Sequence, residues 1–151
     1  MTSWVVCDSG LMLATALPEN MTPKARALLD AWSRTDIRLA APKLYAYEIV
    51  AAIRKHVYRK SLTPEEGYQV RESLLSKTVE LFMDDLLVKR GYDLATHFNR
   101  PTAYDSQYLA IAERLECDFW TADERLFNAV HSELSWVKWL GHFGEANNNQ
   151  G

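Results

Sequence analysis

Asp8, Asp105 and Asp123 each stand where a segment opens that can turn into a helix, in "VVCDSG", "AYDSQYLAIA" and "FWTADERLF". A fourth acid, Glu48, lies inside "YAYEIVAAIRK". Two kinds of chemistry suit such acids. A carboxylate at a helix start accepts backbone N–H bonds and complements the helix dipole. On that reading Asp8 and Asp123 are caps, Asp105 is a first-turn acid, and Thr121 with Glu124 spells a capping box. The other reading is collective. Carboxylates gathered at one place repel one another until a cation neutralises them. An oxygen-only set selects Mg2+ or Mn2+, since zinc recruits His or Cys and no such cluster accompanies these acids.

The elements around the acids decide whether they can meet. "WVVCD" reads as a short strand and "SGLMLATAL" as a helix after it. "TPKARALLDAWSRT" opens with Pro near its first helical turn and sets Ala27, Leu28 and Ala31 to one side. "DIRLAAP" is a strand closed by proline, and "KLYAYEIVAAIRKHVYRK" is the strongest helix, with Tyr45, Ile49, Ile53 and Val57 as its apolar stripe. Glu48 points away from the centre of that stripe. "TPEEGYQVRESLLSK" starts with Thr63 as cap, Pro64 at the first helical position and Glu66 completing a capping box. "TVELFM" is a strand, "DDLLVKRGYDLATHF" a helix and "RPTAY" a loop. The next helix, "DSQYLAIAERLE", carries a stripe of Tyr104, Tyr108, Ile111, Ala112 and Leu115 with Asp105 at its edge, so Asp105 can face inward. "CDFWT", "DERLFNAVH" and "SWVKWL" close the chain as strand, helix and strand.

Strands that alternate with helix-length connections predict a parallel sheet covered on both faces. The expected fold is a three-layer α/β/α sandwich with a mainly parallel five-stranded sheet, in one domain over residues 1–143. The polar segment from residue 144 to 151 is expected to be a disordered tail. In such sheets ligands bind outside the carboxyl ends of the strands. Asp8 and Asp123 follow two of those ends, and Asp105 and Glu48 fall at or beside the same edge.

Composition excludes several classes. Across 151 residues, 48% apolar and 25% charged content is that of a folded protein rather than a disordered one. A net charge of -3 gives no global attraction for nucleic acid, so such binding would need a local basic patch or cations. No apolar run of roughly 18 residues and no basic leader with an apolar stretch is present, so no membrane span or signal peptide is expected and the cytoplasm is the default location. Cys7 and Cys117 lack CxxC or His spacing and read as reduced core thiols. On the strongest helix, Lys55 and Arg59 share the Glu48 face, roughly 10 and 16 Å along the axis. They could track a phosphate backbone, with Tyr58 and His56 interleaved for stacking on an unpaired base, or simply form a solvated face favourable at a helix C-terminus. Arg100 is a second candidate for substrate grip.

The order "VVCDSG", "YAYEIVAAIRK" and "AYDSQYLAIAERLECDFWTADERLF" resembles the PIN domain, most closely the VapC-type ribonuclease toxins, from Trp4 to about Leu140. By that resemblance the family's acidic quartet falls on Asp8, Glu48, Asp105 and Asp123, with Ser9 and Thr121 as supporting hydroxyls. The resemblance implies a Mg2+- or Mn2+-dependent endoribonuclease that hydrolyses RNA to 5′-phosphate and 3′-hydroxyl ends, using one or two cations held by the quartet. It requires no histidine base, and His56, His97, His131 and His142 all lie outside the motifs. It further implies a homodimer and a cognate antitoxin covering the site. Trp32, Tyr68 and Leu75 are candidates for such a protein interface. The alternatives are a PIN-fold RNA-processing nuclease without antitoxin, a phosphate-accepting receiver, which would place a lysine beside the site where only Lys138 is on offer, and a non-catalytic binding module.

Overall fold

In the computed structural model, residues Ser3–Glu145 are described; the tail expected over residues 144–151 lies, from residue 146 onward, outside the described residues. Five strands form one all-parallel sheet: β1 (Ser3–Cys7), β2 (Ile37–Pro42), β3 (Val79–Phe82), β4 (Asp118–Thr121) and β5 (Val137–Trp139). Their spatial order is β3-β2-β1-β4-β5. The chain therefore steps outward from β1 to β3 and then returns to the other side of β1. That reversal makes the β1/β4 boundary the topological switch point, where a crevice opens at the carboxyl ends of the strands.

The crossovers are helical. Helices α1 (Ser9–Ala16) and α2 (Thr22–Ser33) link β1 to β2, and α3 (Leu44–Tyr58) and α4 (Pro64–Leu75) link β2 to β3. Helices α5 (Asp85–His97) and α6 (Asp105–Leu115) make the long return to β4, and α7 (Glu124–Val130) joins β4 to β5. Right-handed crossovers running in opposite directions along a sheet put α1–α4 on one face and α5–α6 on the other. The central strands show this sandwiching directly. Val5, Val6 and Cys7 in β1, and Ala40 and Ala41 in β2, are consecutive and all buried, as strands covered on both faces must be.

Local signals fix the element ends. Thr63 and Glu66 form the expected reciprocal cap of α4. Glu116, in left-handed conformation (φ 52°), ends α6 and turns the chain into β4. Gly67 lets α4 close on α3: a Cβ there would clash with the Val57 side chain.

Four expectations about faces and caps are corrected. On α2 the buried residues are Thr22, Ala25, Leu28 and Trp32, and Ala27 and Ala31 are exposed. Burying the large Leu28 and Trp32 sets the helix phase, since alanines contribute little area. Trp32 is therefore core and not interface, whereas Tyr68 and Leu75 are exposed. Tyr104, the residue just before α6, projects to solvent and is not part of the buried stripe. Finally, Thr121 and Glu124 make no capping box. Asp123 caps α7, accepting from Arg125 N and Leu126 N, and the Thr121 hydroxyl is engaged elsewhere. Both cysteines are free, with Cys7 buried.

Candidate active site

The register Cys7–Trp120 between β1 and β4 places Asp8 beside Thr121 at the carboxyl end of the sheet. Asp8 is the cap of α1, accepting from Leu11 N at 2.9 Å on Oδ1. Its other oxygen accepts a hydrogen bond from the Thr121 hydroxyl, and Ala122 N approaches the same carboxylate at 3.3 Å. The Thr121 oxygen in turn accepts from Asp123 N at 2.9 Å. One hydroxyl thus ties together the ends of two strands and the starts of α1 and α7.

Glu48 arrives from the opposite direction. Helix α3 begins directly after β2, which puts Glu48 in its second turn, facing α6. There the Tyr108 hydroxyl donates to Glu48 Oε1 at 2.7 Å, and the buried Ser9 lies near both groups. Glu48 is half-buried, not the lone surface glutamate its own helix would allow. Asp105 opens α6 without capping it: the residue before it makes no side-chain cap, and the Asp105 carboxylate carries no hydrogen bond among the described residues.

Electrostatics join these groups into one set. Burial raises the Asp8 carboxyl to about 6, helped by the Asp105 charge and opposed by the bonds from Thr121, Leu11 and Ala122. Burial also raises Glu48, with Asp105 pushing in the same direction and the Tyr108 and Ser9 hydroxyls opposing. Asp105 is raised by burial and by the Asp123 charge, and lowered by Arg100. Asp105 is thus within reach of the fields of Asp8, Glu48 and Asp123, and Arg100 faces it. These shifts have the form expected of carboxylates crowded in a partly dry cleft.

All the donors are oxygen. The histidines lie elsewhere: His56 bonds Ser61, His97 pairs with Glu133, His131 bonds the Phe127 carbonyl, and His142 packs against Trp139. Carboxylates and hydroxyls without imidazole or thiolate fit a hard cation of the Mg2+ or Mn2+ kind. Among the described residues no three acidic, imidazole or thiol groups already converge on a single coordination point. The unbonded Asp105 is the member of the set with freedom to turn.

Lys55 and Arg59 remain exposed at the far end of α3, without an ion pair among the described residues. Tyr108 is the site residue that sequence reasoning passed over. Its ring suited an apolar stripe, and nothing local in the sequence announced that its hydroxyl would reach a residue 60 positions away.

An all-parallel sheet in this order, sandwiched by helices and carrying acids at its carboxyl edge, defines a PIN-type α/β/α domain. The solved structure of PAE2754 from Pyrobaculum aerophilum superposes with a TM-score of 0.66 over 93% of both chains at 19% identity. That of Mycobacterium tuberculosis VapC20, a sarcin-ricin loop cleaving toxin, does so with a TM-score of 0.61 over 83% of this chain and 95% of the other, at 13% identity. In sequence, 122 residues are 30% identical to the VapC ribonuclease Mb0985 of Mycobacterium bovis and to ribonuclease VapC9 of M. tuberculosis, spanning 81% of this chain and 87% of each relative. The chain belongs to the VapC ribonuclease family. No family-level sequence profile matches it. Membership in a ribonuclease family sets aside the receiver alternative.

Proposed function

We propose that this protein is a Mg2+- or Mn2+-dependent endoribonuclease, the toxin of a type II toxin-antitoxin pair, with Asp8, Glu48, Asp105 and Asp123 as catalytic and metal-holding residues. The observation that carries the reading is the arrival of the acids at the β1/β4 crevice: the Thr121 hydroxyl joins Asp8 to the start of α7, which Asp123 caps, while Tyr108 of α6 holds Glu48 and Asp105 opens that same helix. Isolated caps would have no reason to share that crevice. A bound divalent cation there would acidify an attacking water and neutralise charge developing on the phosphate during in-line displacement.

The chain's own residues do the rest. Thr121 and the Leu11 and Ala122 amides fix Asp8, and the α7 amides fix Asp123, so two ligands are preorganised on rigid elements. Asp105 supplies the adjustable carboxylate. Arg100, whose charge reaches Asp105, would take a phosphate oxygen of the substrate. Lys55 and Arg59 extend the grip along the RNA backbone as point charges on a chain of net charge -3. Ser9 supports Glu48. The products carry 5′-phosphate and 3′-hydroxyl ends, because water and not the ribose 2′-hydroxyl attacks.

The catalytic unit is a single domain, residues 1–143. Its partners are RNA, a cognate antitoxin lying over the acids, and a second copy of the chain. Leu81 in the edge strand β3, Met83 just after it, and Leu86, Val88 and Tyr92 on α5 are exposed apolar residues suited to the homodimer contact. Among the described residues no helix is long and apolar enough to cross a membrane, which agrees with action in the cytoplasm.

The deciding experiment is Asp105→Asn. Metal-dependent cleavage of single-stranded RNA should fall to background while the thermal unfolding profile stays that of a folded protein. A variant that cuts like wild type would remove Asp105 from the site and the proposal with it.

A further inference from the structure

Of the acids in the crevice, Glu48 is held in a different way from Asp8 and Asp123. Those two accept backbone amides at helix starts, which lock short side chains. Glu48 sits within α3, its carboxylate accepts no backbone amide, and its side chain has one more rotatable bond than an aspartate. Left alone it would sample several rotamers. What stops it is a contact from another element. The Tyr108 hydroxyl, on α6, donates to Glu48 Oε1 at 2.7 Å.

Tyr108 is itself immobile. It is 1% exposed, and its ring stacks on Phe119 of β4 with centroids 5.7 Å apart and planes 20° from parallel. Phe119 lies two residues before Thr121, the hydroxyl that binds Asp8. The same strand therefore sets Asp8 through a hydroxyl and Glu48 through a stacked phenol. An O–H···carboxylate bond in a partly dry site is charge-assisted, and it engages one oxygen only. Oε2 is left for another partner. Ser9, next to Asp8 in sequence and buried, lies near Glu48 and Tyr108.

Resting on the proposed metal-dependent reading of this crevice, we propose that Tyr108 is a positioning residue: its phenol clamps Glu48 Oε1 and so presents Oε2 to the divalent cation. Tyr108 touches neither substrate nor reacting atoms. Its contribution is to remove the rotamer search that Glu48 would otherwise make on binding the ion.

The test is Tyr108→Phe, which deletes one oxygen and keeps the ring and its stack. Mn2+ binding to wild type, Y108F, E48Q and the double variant is measured by calorimetry, with thermal unfolding of each in metal-free buffer. The expected result is a dissociation constant for Mn2+ weakened on the order of tenfold in Y108F, within the range for lost outer partners of metal ligands. In the E48Q background the same change should have little further effect, because the clamped carboxylate is already gone. Cleavage by Y108F should recover as Mn2+ is raised, which a merely loosened core would not do. Wild-type affinity in Y108F, or an equal loss with and without Glu48, overturns the clamp. Should Y108F not fold, E48Q alone decides: a Mn2+ affinity equal to wild type there takes Glu48 out of the ligand set and overturns the clamp as well. If wild type binds no Mn2+ at millimolar concentration, the metal-dependent reading itself fails, and the two failures are told apart by that first titration.

Discussion

Replacing Asp8 by Asn should make the metal-free protein more stable while removing its function. Asp8 is held at about 6 in the folded chain against an ordinary 3.8, chiefly because the carboxylate is buried. A raised carboxyl value means that the folded state binds the proton more tightly than the unfolded one. The favourable contribution is then fully present below about pH 3.8 and lost as pH rises through about 6. At neutral pH the ionised group costs the fold about 3 kcal/mol, at roughly 1.36 kcal/mol per tenfold change in proton affinity. Asn removes the charge and keeps the capping oxygen for Leu11 N, since Asn and Asp cap equally well. It gives up the charge-assisted bond from Thr121, which returns about 1–2 kcal/mol of the gain. The net expectation is about 1–2 kcal/mol, or roughly 3–6 °C in Tm for a chain of this size. Thermal unfolding between pH 4.5 and 8, with EDTA and then with millimolar Mn2+, reads both parts. Wild type should lose stability on going from pH 5 to 7 and regain it with Mn2+; D8N should show a smaller loss, left by the raised Glu48 and Asp105 carboxyls, a weaker Mn2+ response and no cleavage. A D8N protein less stable than wild type at pH 7.5 in EDTA would refute the claim that Asp8 is held ionised against its surroundings.

Other substitutions probe the same frame. Thr121→Val keeps the shape and removes the oxygen shared by Asp8 and the Asp123 amide; denaturant unfolding should show a loss of about 1–3 kcal/mol, with weaker Mn2+ binding by calorimetry. Mn2+ affinity of the wild-type protein should fall as pH drops below about 6, because protons compete for Asp8; a pH-independent affinity would take Asp8 out of the ligand set. Glu116→Gly, at the left-handed end of α6, should raise stability by about 1 kcal/mol without changing cleavage.

How much of this was legible beforehand depended on whether the relevant force acted along the chain or across it. Strand and helix order, the α4 capping box and the acids following β1 and β4 were readable, because hydrophobic period and capping chemistry are local. The phase of α2 was not: alanines at 27 and 31 carry too little area to decide which side turns inward, and Trp32 decided it. Glu48 could be placed only by its angle to its own helix stripe, which cannot say what another helix brings to meet it. Tyr108 stayed hidden for the same reason. Thr121 was singled out as a supporting hydroxyl, yet its capping-box pairing with Glu124 failed because its oxygen accepts from the Asp123 amide and Asp123 takes the cap position of α7.

Asp8 and Thr121 are separated by 113 residues, yet they must be side by side before the crevice exists. During synthesis β1 emerges first and waits. Helices α1 to α4 and strands β2 and β3 can assemble on one side of it, but the carboxyl end of β1 has no neighbour on the other side until β4 arrives. A growing chain therefore carries Asp8 and Glu48 before the crevice between β1 and β4 exists. The strand order works as a delay: the two sides of the crevice meet only after the half of the sheet beyond β1 has been made.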